Sequence, residues 1–395
     1  MRLALIADTF PPLRTSGAIQ LRDLSSEFVR QGHSISVLVS SSELKKNFQI
    51  NFFAGIQVVR LKTFKTKDVG YLRRTIAEFL MPFIMFFNLQ KTSLKDEHWD
   101  GVIWYSPSIF LGPIVHLLKR KSGCKSYLIV RDVFPDWTVD MGLMRKGLPY
   151  LFFKLIARYQ NSVADIIGIQ TEGNHVYFSD RLKKSNRNIE VLYNWLSIPN
   201  KTKPNILISK TSIRNRKVFI YAGNMGVAQD MNRVFNLVRS MNDRKDIGFL
   251  FVGRGSELQK LKEGAKEFRL SNIIFFDEID SDEIFSLYQQ CDAGIVSLDG
   301  RHKSHNIPGK FISYMLAGLP AFAIVNEGND LISLINKEGV GRAFSSRDIG
   351  FLKSEAELFI DDFLNDSKIK VRCKNLAMQM FSTKRAVKQI IAALN

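Results

Sequence analysis

The chain has little of what marks a secreted, disulfide-stapled or metal-bound protein. Its 395 residues include three cysteines, Cys124, Cys291 and Cys373. That number is odd and the spacing suits neither a disulfide framework nor a zinc cluster, so a reducing compartment fits, with the thiols as small core residues. Histidine is scarce, at six residues, and no His/Cys/Asp group has ligand spacing; no metal and no other cofactor is expected. Long hydrophobic runs are missing as well. The greasiest stretch, Phe79 to Phe87, falls well short of the roughly 20 apolar residues of a spanning helix. The short run Leu3–Ala7 after Met1 is cut off by Asp8, too early for a secretory signal. A cytoplasmic protein is the expectation. Acidic residues are outnumbered by Lys and Arg, 38 to 56, for a formal charge of +18. A field of this sign attracts phosphates, whether of nucleotides, nucleic acid or anionic lipid, without choosing among them.

What the chain does have is a rhythm. Short β-branched runs alternate with helical patterns: Leu3–Ala7, Ile35–Val39, Gln57–Leu61, Gly101–Tyr105, Tyr127–Arg131, Ile166–Gln170 and Glu190–Tyr193, then Val218–Ala222, Gly248–Gly253, Ile273–Phe276, Ala293–Ser297 and Ala321–Val325. Near-continuous apolar runs spaced by amphipathic helices predict strands of parallel sheets covered on both faces. The rhythm breaks once, over 201–216, a polar, basic and Pro-containing stretch that reads as a linker. The expected class is therefore α/β with two Rossmann-like domains, 1–200 and 217–374; the C-terminal helix, 375–395, is expected to pack back on the first. Ligands of such sheets bind beyond the C-terminal ends of the strands, and two facing domains would place the site in a cleft between them.

Several motifs fall at those strand ends. Asp8-Thr9-Phe10-Pro11-Pro12 runs on to Ser16-Gly17 before a helix, where Gly17 serves either an anion site or a plain turn. Arg131-Asp132-Val133-Phe134-Pro135-Asp136 places two carboxylates and a guanidinium after a strand; its alternative is an ion pair that closes a loop. Gly223-Asn224-Met225-Gly226 and Gly253-Arg254-Gly255 repeat the strand–glycine–helix plan and together suggest a cradle for a nucleotide diphosphate. In Asn306-Ile307-Pro308-Gly309-Lys310, Pro308 suits a helix start and Gly318 with Pro320 its end. Lys310 then opposes the helix dipole unless an anion neutralises it, or is a solvated, mildly unfavourable lysine. Asp280-Ser281-Asp282 has the form of a metal-binding DxD but reads better as a helix N-cap.

With these residues in place, the chain resembles, over nearly its full length, the retaining glycosyltransferases of family 4, which have the GT-B fold. Within that family it is similar to the O-antigen and capsule enzymes of the N-acetyl-L-fucosamine transferase subgroup. The resemblance rests on Phe10-Pro11-Pro12 with Ser16-Gly17, Gly32-His33, the Arg131–Asp136 segment, Tyr193-Asn194-Trp195, the two glycine turns, and Ile307 through Pro320. It departs where the family's two glutamates would fall on His305 and Ser313, where a loop Arg and Lys correspond to Asn224 and Gln229, and where a His–Asp pair becomes Arg131-Asp132. The resemblance implies a UDP-sugar donor, such as an N-acetylated deoxyhexosamine, held in the second domain by Gly17 of the first together with Asn224, Gly226, Arg254, Pro308, Gly309 and Lys310. Asp132 and Arg131 would be the catalytic pair, and a polyprenyl-diphosphate-linked saccharide the acceptor.

Two basic amphipathic stretches, Leu72–Gln90 and Met144–Tyr159, suit either an anionic membrane surface or the sheet beneath them. A nucleotide-sugar 2-epimerase would share the fold. Nucleic-acid binding is suggested by charge alone, against which the basic residues are dispersed and no nucleic-acid-binding motif occurs.

Overall fold

The computed structural model describes the chain except for Arg14, residues 179–187 and 199–201, Lys203, His302, Ser304 and His305; of Ser281 and Asp282 the backbone alone is described. The chain divides into two compact units, Met1–Tyr193 with Thr383–Asn395, and Asn194–Ser382.

The first unit is built on β1 (Arg2–Ala7), β2 (Ser34–Ser41), β3 (Phe48–Phe53), β4 (Ile56–Lys62), β5 (Gly101–Ser106), β6 (Lys125–Val130), β7 (Ile166–Ile169) and β8 (Asn188–Val191). They form one sheet in the order β3-β4-β2-β1-β5-β6-β7-β8. Its long helices are α1 (Ser16–Arg30), α2 (Tyr71–Leu89) and α3 (Gly112–Ser122), then the short α4 (Asp136–Asp140) and α5 (Leu148–Val163). Leu3 through Ala7 are fully buried, as expected of a strand with helices over both faces. Thr15 caps α1 by accepting the Ala18 N–H at 3.2 Å. Gly123 ends α3 in the left-handed conformation that favours glycine.

The second unit orders its strands β11-β10-β9-β12-β13-β14, all parallel. They are β9 (Lys217–Ala222), β10 (Ile247–Val252), β11 (Ile273–Phe276), β12 (Ala293–Ser297), β13 (Ala321–Ile324) and β14 (Gly341–Phe344). Its helices are α6 (Met231–Ser240), α7 (Leu258–Glu267), α8 (Ser281–Tyr288), α9 (Gly309–Ala317), α10 (Asp330–Glu338), α11 (Ile349–Phe359) and α12 (Ile369–Met380). The last helix, α13 (Thr383–Leu394), packs on α1 and β6 of the first unit.

In both sheets the chain winds outward and then returns to the other side of its first strand. β1 lies between β2 and β5, and β9 between β10 and β12. Loops leaving these two switch strands part to opposite faces and open a crevice at the strand's C-terminal end.

The structure adds and moves several elements. β3 pairs antiparallel with β4 at the sheet edge through a turn at Ala54 and Gly55, both at positive φ. Its Phe52 and Phe53 are exposed, so no buried apolar run announces it. β14, four residues long, was equally silent. The boundary falls at Tyr193 and Asn194 rather than at 200. The segment read as a linker is, where described, part of the second unit's surface: Ile208 and Ile213 are buried. Gln290 donates to the Ile206 carbonyl at 3.0 Å and accepts the Ile208 N–H at 3.1 Å. Asp280 occupies the N-cap of α8; the side chains of Ser281 and Asp282 lie outside the description.

Candidate functional site

In the second unit the turns after β9 and β10 are zipped together. Gly223 donates to the Val252 carbonyl at 2.9 Å and Met225 to the Arg254 carbonyl at 2.7 Å. The approach is so close that a Cβ on Gly253 would lie 2.1 Å from the Gly223 oxygen, and one on Gly255 2.3 Å from the Met225 oxygen. Both glycines also hold positive φ, 142° and 149°. Their glycine character therefore serves the meeting of two loops. Asn224 and Gly226 are drawn into the same closure: the Gln229 amide oxygen accepts from Asn224 Nδ2 at 2.9 Å and from the Gly226 N–H at 3.2 Å. These two predicted binding residues thus spend those donors on the loop itself.

Lys310 is different. The helix that carries it is pinned by Tyr314, one turn on, whose ring fills the space left by Gly294; a Cβ there would sit 2.2 Å from it. The Tyr314 hydroxyl lies 3.2 Å from the carbonyls of Ile220 and Ile295 and accepts the Ala222 N–H at 3.2 Å. It wedges between β9 and β12, which pair at two positions. Because Lys310 and Tyr314 share a helix face, this anchor delivers the ammonium to the switch point. Its Nζ lies 3.6 Å from the centroid of the buried Tyr221 ring. The aliphatic end of Lys310 also comes 3.9 Å from where a Gly223 Cβ would be. The residue is partly exposed, but the ammonium is buried and lacks a hydrogen-bond partner among the described residues. Burial lowers its pKa from the ordinary 10.5 to about 7.

Helix α9 begins at Gly309, with Pro308 in the extended conformation of an N-cap. Asn194 fixes the approach by donating to the Ile307 carbonyl at 2.9 Å. Arg254, on the second turn, is well exposed and lies 3.3 Å from Glu278. A surface pair of this kind holds its partners weakly. The second unit therefore brings together a helix N-terminus, a desolvated cation and an exposed one, a set suited to a phosphate-bearing ligand.

In the first unit the corresponding crevice lies at the ends of β1, β5 and β6. Gly17 faces its wall: a Cβ there would meet the Tyr105 ring at 3.2 Å and Thr9 at 3.3 Å. The Tyr105 hydroxyl donates to Gln20 at 3.2 Å and shares a hydrogen bond with Arg131. Arg131 is buried, and its NH1 also donates to the Leu192 carbonyl at 3.3 Å. Its pKa falls to about 10 through burial, and that of Tyr105 rises to about 12 for the same reason. The guanidinium expected at the reaction is thus an internal strut that sets Tyr105, while Asp132 beside it is exposed. Asp136, the segment's second carboxylate, binds Lys154 at 2.7 Å and the Tyr150 hydroxyl at 3.0 Å. It ties α4 to α5.

Three residues at these crevices were not singled out as site residues from sequence: Asp8, Tyr105 and Tyr221. Asp8 carried a signal, a charge terminating an apolar strand. The tyrosines carried none, since an aromatic inside a strand looks like core.

The family described as Glycosyl transferases group 1 matches residues 202–375, the region that holds Lys310, Arg254 and both glycine turns. The chain is a glycosyltransferase. "Probable glycosyltransferase WbjE" of Pseudomonas aeruginosa is 23% identical over 277 residues, 68% of each chain. An α,α-trehalose-phosphate synthase (UDP-forming) from Burkholderia xenovorans has the same fold at 11% identity, over the full length of both chains, with a TM-score of 0.72. WaaG, a glycosyltransferase of lipopolysaccharide biosynthesis, aligns over 100% of this chain and 99% of its own at a TM-score of 0.65 and 12% identity. The fold of this glycosyltransferase is accordingly GT-B, with two Rossmann-like domains. Of the positions where the family's glutamates would fall, Ser313 returns its hydroxyl to the Gly309 carbonyl at 3.1 Å, and His305 lies outside the described residues.

Proposed function

We propose that this glycosyltransferase moves a sugar from a UDP-sugar to a polyprenyl-diphosphate-linked saccharide during surface-polysaccharide synthesis, with retention of anomeric configuration. The observation that carries the reading is the buried Lys310 ammonium at the N-terminus of α9, which has no hydrogen-bond partner among the described residues. A desolvated cation without a counter-charge is unfavourable until an anion arrives. Departure of a nucleoside diphosphate builds negative charge on its terminal oxygens, which Lys310, Arg254 and the helix N-terminus would stabilise. Asn224, Gly226, Pro308 and Gly309 would shape that cradle, and Asp132 would position or polarise the acceptor hydroxyl. The UDP-forming synthase and the lipopolysaccharide enzyme named above support the donor and the biological setting. The N-acetylated deoxyhexosamine, such as N-acetyl-L-fucosamine, follows from the resemblance of the motifs, as does transfer without a metal.

The acceptor assigns the enzyme to the inner face of a cytoplasmic membrane, and the first unit offers a surface for it. No described helix is long and apolar enough to cross a bilayer. Yet α2 leaves Tyr71 90% and Leu72 75% exposed, and α5 leaves Leu148 83% and Leu155 65% exposed. Arg73, Arg145 and Lys146 lie exposed among them. Both helices pack against α3, so the apolar and basic residues line neighbouring elements, as an anionic lipid surface requires. Lys154 is spent inward on Asp136 and does not contribute.

A thermal-shift titration with UDP, GDP, dTDP and CMP, without added metal, tests the donor reading. UDP alone should stabilise the protein, and Lys310→Ala should abolish the shift. An equal response to all four, or an undiminished shift in the variant, would overturn it.

A further inference from the structure

The first unit holds a buried acid with one oxygen that no described residue hydrogen-bonds. Asp8 follows the last residue of β1, the switch strand, and its Oδ1 is buried without a hydrogen-bond partner among the described residues. The polar groups around it are engaged elsewhere. The Thr9 and Thr15 hydroxyls pair with each other at 2.8 Å, and Tyr105 is held by Gln20 and Arg131. Lys67, Arg74 and Glu78 act on Asp8 through space, two lowering and one raising its pKa, and Tyr105 faces it from β5. Desolvation outweighs them and raises the carboxyl above its ordinary value. Such a group weakens the fold. A carboxyl at a crevice in this condition makes sense if a ligand brings the missing donor.

A sugar hydroxyl is that donor. We propose that Asp8 receives the hydrogen bond of an acceptor-sugar hydroxyl, with Asp132 at the end of the next strand but one. The strand order β1-β5-β6 sets this spacing, because the three residues leave adjacent strand ends. The inference rests on the glycosyltransferase reading for its ligand, and on the orphaned Asp8 Oδ1 for its site.

Asp8→Asn separates a ligand-binding acid from a structural one. The substitution keeps the shape and removes the buried charge, so the unliganded variant should melt no lower than the wild type at pH 8. Its UDP-induced thermal shift should be unchanged. Transfer of radiolabelled sugar from a UDP-sugar into the lipid extract of cells lacking this chain should fall on the order of 10–100-fold in kcat/KM for that extract. The acid limb of the wild-type profile should flatten as well. A variant that melts several degrees lower would show that the carboxyl supports the fold and would overturn the proposal. So would transfer within threefold of wild type, with Asp8→Ser giving the same result. Loss of the UDP shift in the wild type would instead sink the donor reading, while the melting comparison still judges Asp8.

Discussion

The two switch strands end in opposite charges. β1 is followed by a buried carboxyl whose Oδ1 has no hydrogen-bond partner among the described residues, and the crevice at β9 receives a buried ammonium that has none there either. Both sheets arrive at this geometry by the same topology, yet they deliver the charge differently. Asp8 belongs to the strand's own exit. Lys310 comes from α9, nearly ninety residues after β9, and is brought in by the Tyr314 wedge. The same α/β plan thus yields one crevice fit for hydroxyl donors and another fit for anions.

The strongest way to break this comparison is to remove the cation. Lys310→Met should lower turnover by about 100-fold or more, the scale of losing a preorganised charge at a developing anion, and should raise the melting point of the unliganded protein. The pH dependence should have opposite sign in the two units. The folded pKa of Lys310 lies below its unfolded value, so the folded state binds fewer protons between about 7 and 10.5; over that window the Lys310 contribution to stability rises with pH and is lost in Lys310→Met. Asp8 is raised above its ordinary 3.8, so its contribution falls as pH climbs from there through the folded value. Denaturant midpoints of wild type and each variant across pH would show both slopes, and parallel curves would refute the assignment.

A second contrast concerns the glycines. Gly253→Ala should cost about 3 kcal/mol or more, because the methyl meets backbone at a φ that L residues avoid. Gly17→Ala meets side-chain atoms at 3.2–3.3 Å and should cost about 1 kcal/mol. Urea unfolding of the two variants ranks them. Membrane contact should be intermediate in effect: replacing Leu72 and Leu148 by Asp should weaken flotation with anionic liposomes severalfold, while neutral liposomes bind poorly throughout. The smallest effect is assigned to Arg254. Its exposed pair with Glu278 is worth about 0.5 kcal/mol or less to stability, so Arg254→Gln should leave melting unchanged and raise the KM for UDP-sugar by less than about tenfold.

Much of the fold was legible because strands covered on both faces must be largely apolar, and β1, β5, β9 and β12 are so apart from one polar or charged residue at an end. β3 escaped because an edge strand exposes its side chains, and the 204–216 segment because a polar, basic composition hid two buried isoleucines. The candidate residues were legible in part. Helix-end chemistry singled out Lys310, since Pro308 and Gly318 bracket its helix, and the fold buries its ammonium; the strand-end position singled out Asp132, which is exposed. Arg131 misled because a charged residue after a strand looks solvent-facing, and its burial against Tyr105 depends on partners in β5 and beyond β8.

The amino-acid sequence by itself determined the two-fold α/β plan, the placing of polar motifs at strand ends, and the absence of disulfide support, all of which follow from local periodicity and composition. Tertiary structure alone decided which charges are satisfied. Arg131 and Asp136 found partners from distant segments; Asp8 Oδ1 and the Lys310 ammonium found no hydrogen-bond partner among the described residues. A group's hydrogen-bond balance depends on what the fold brings beside it, and that is written in no local stretch of the chain.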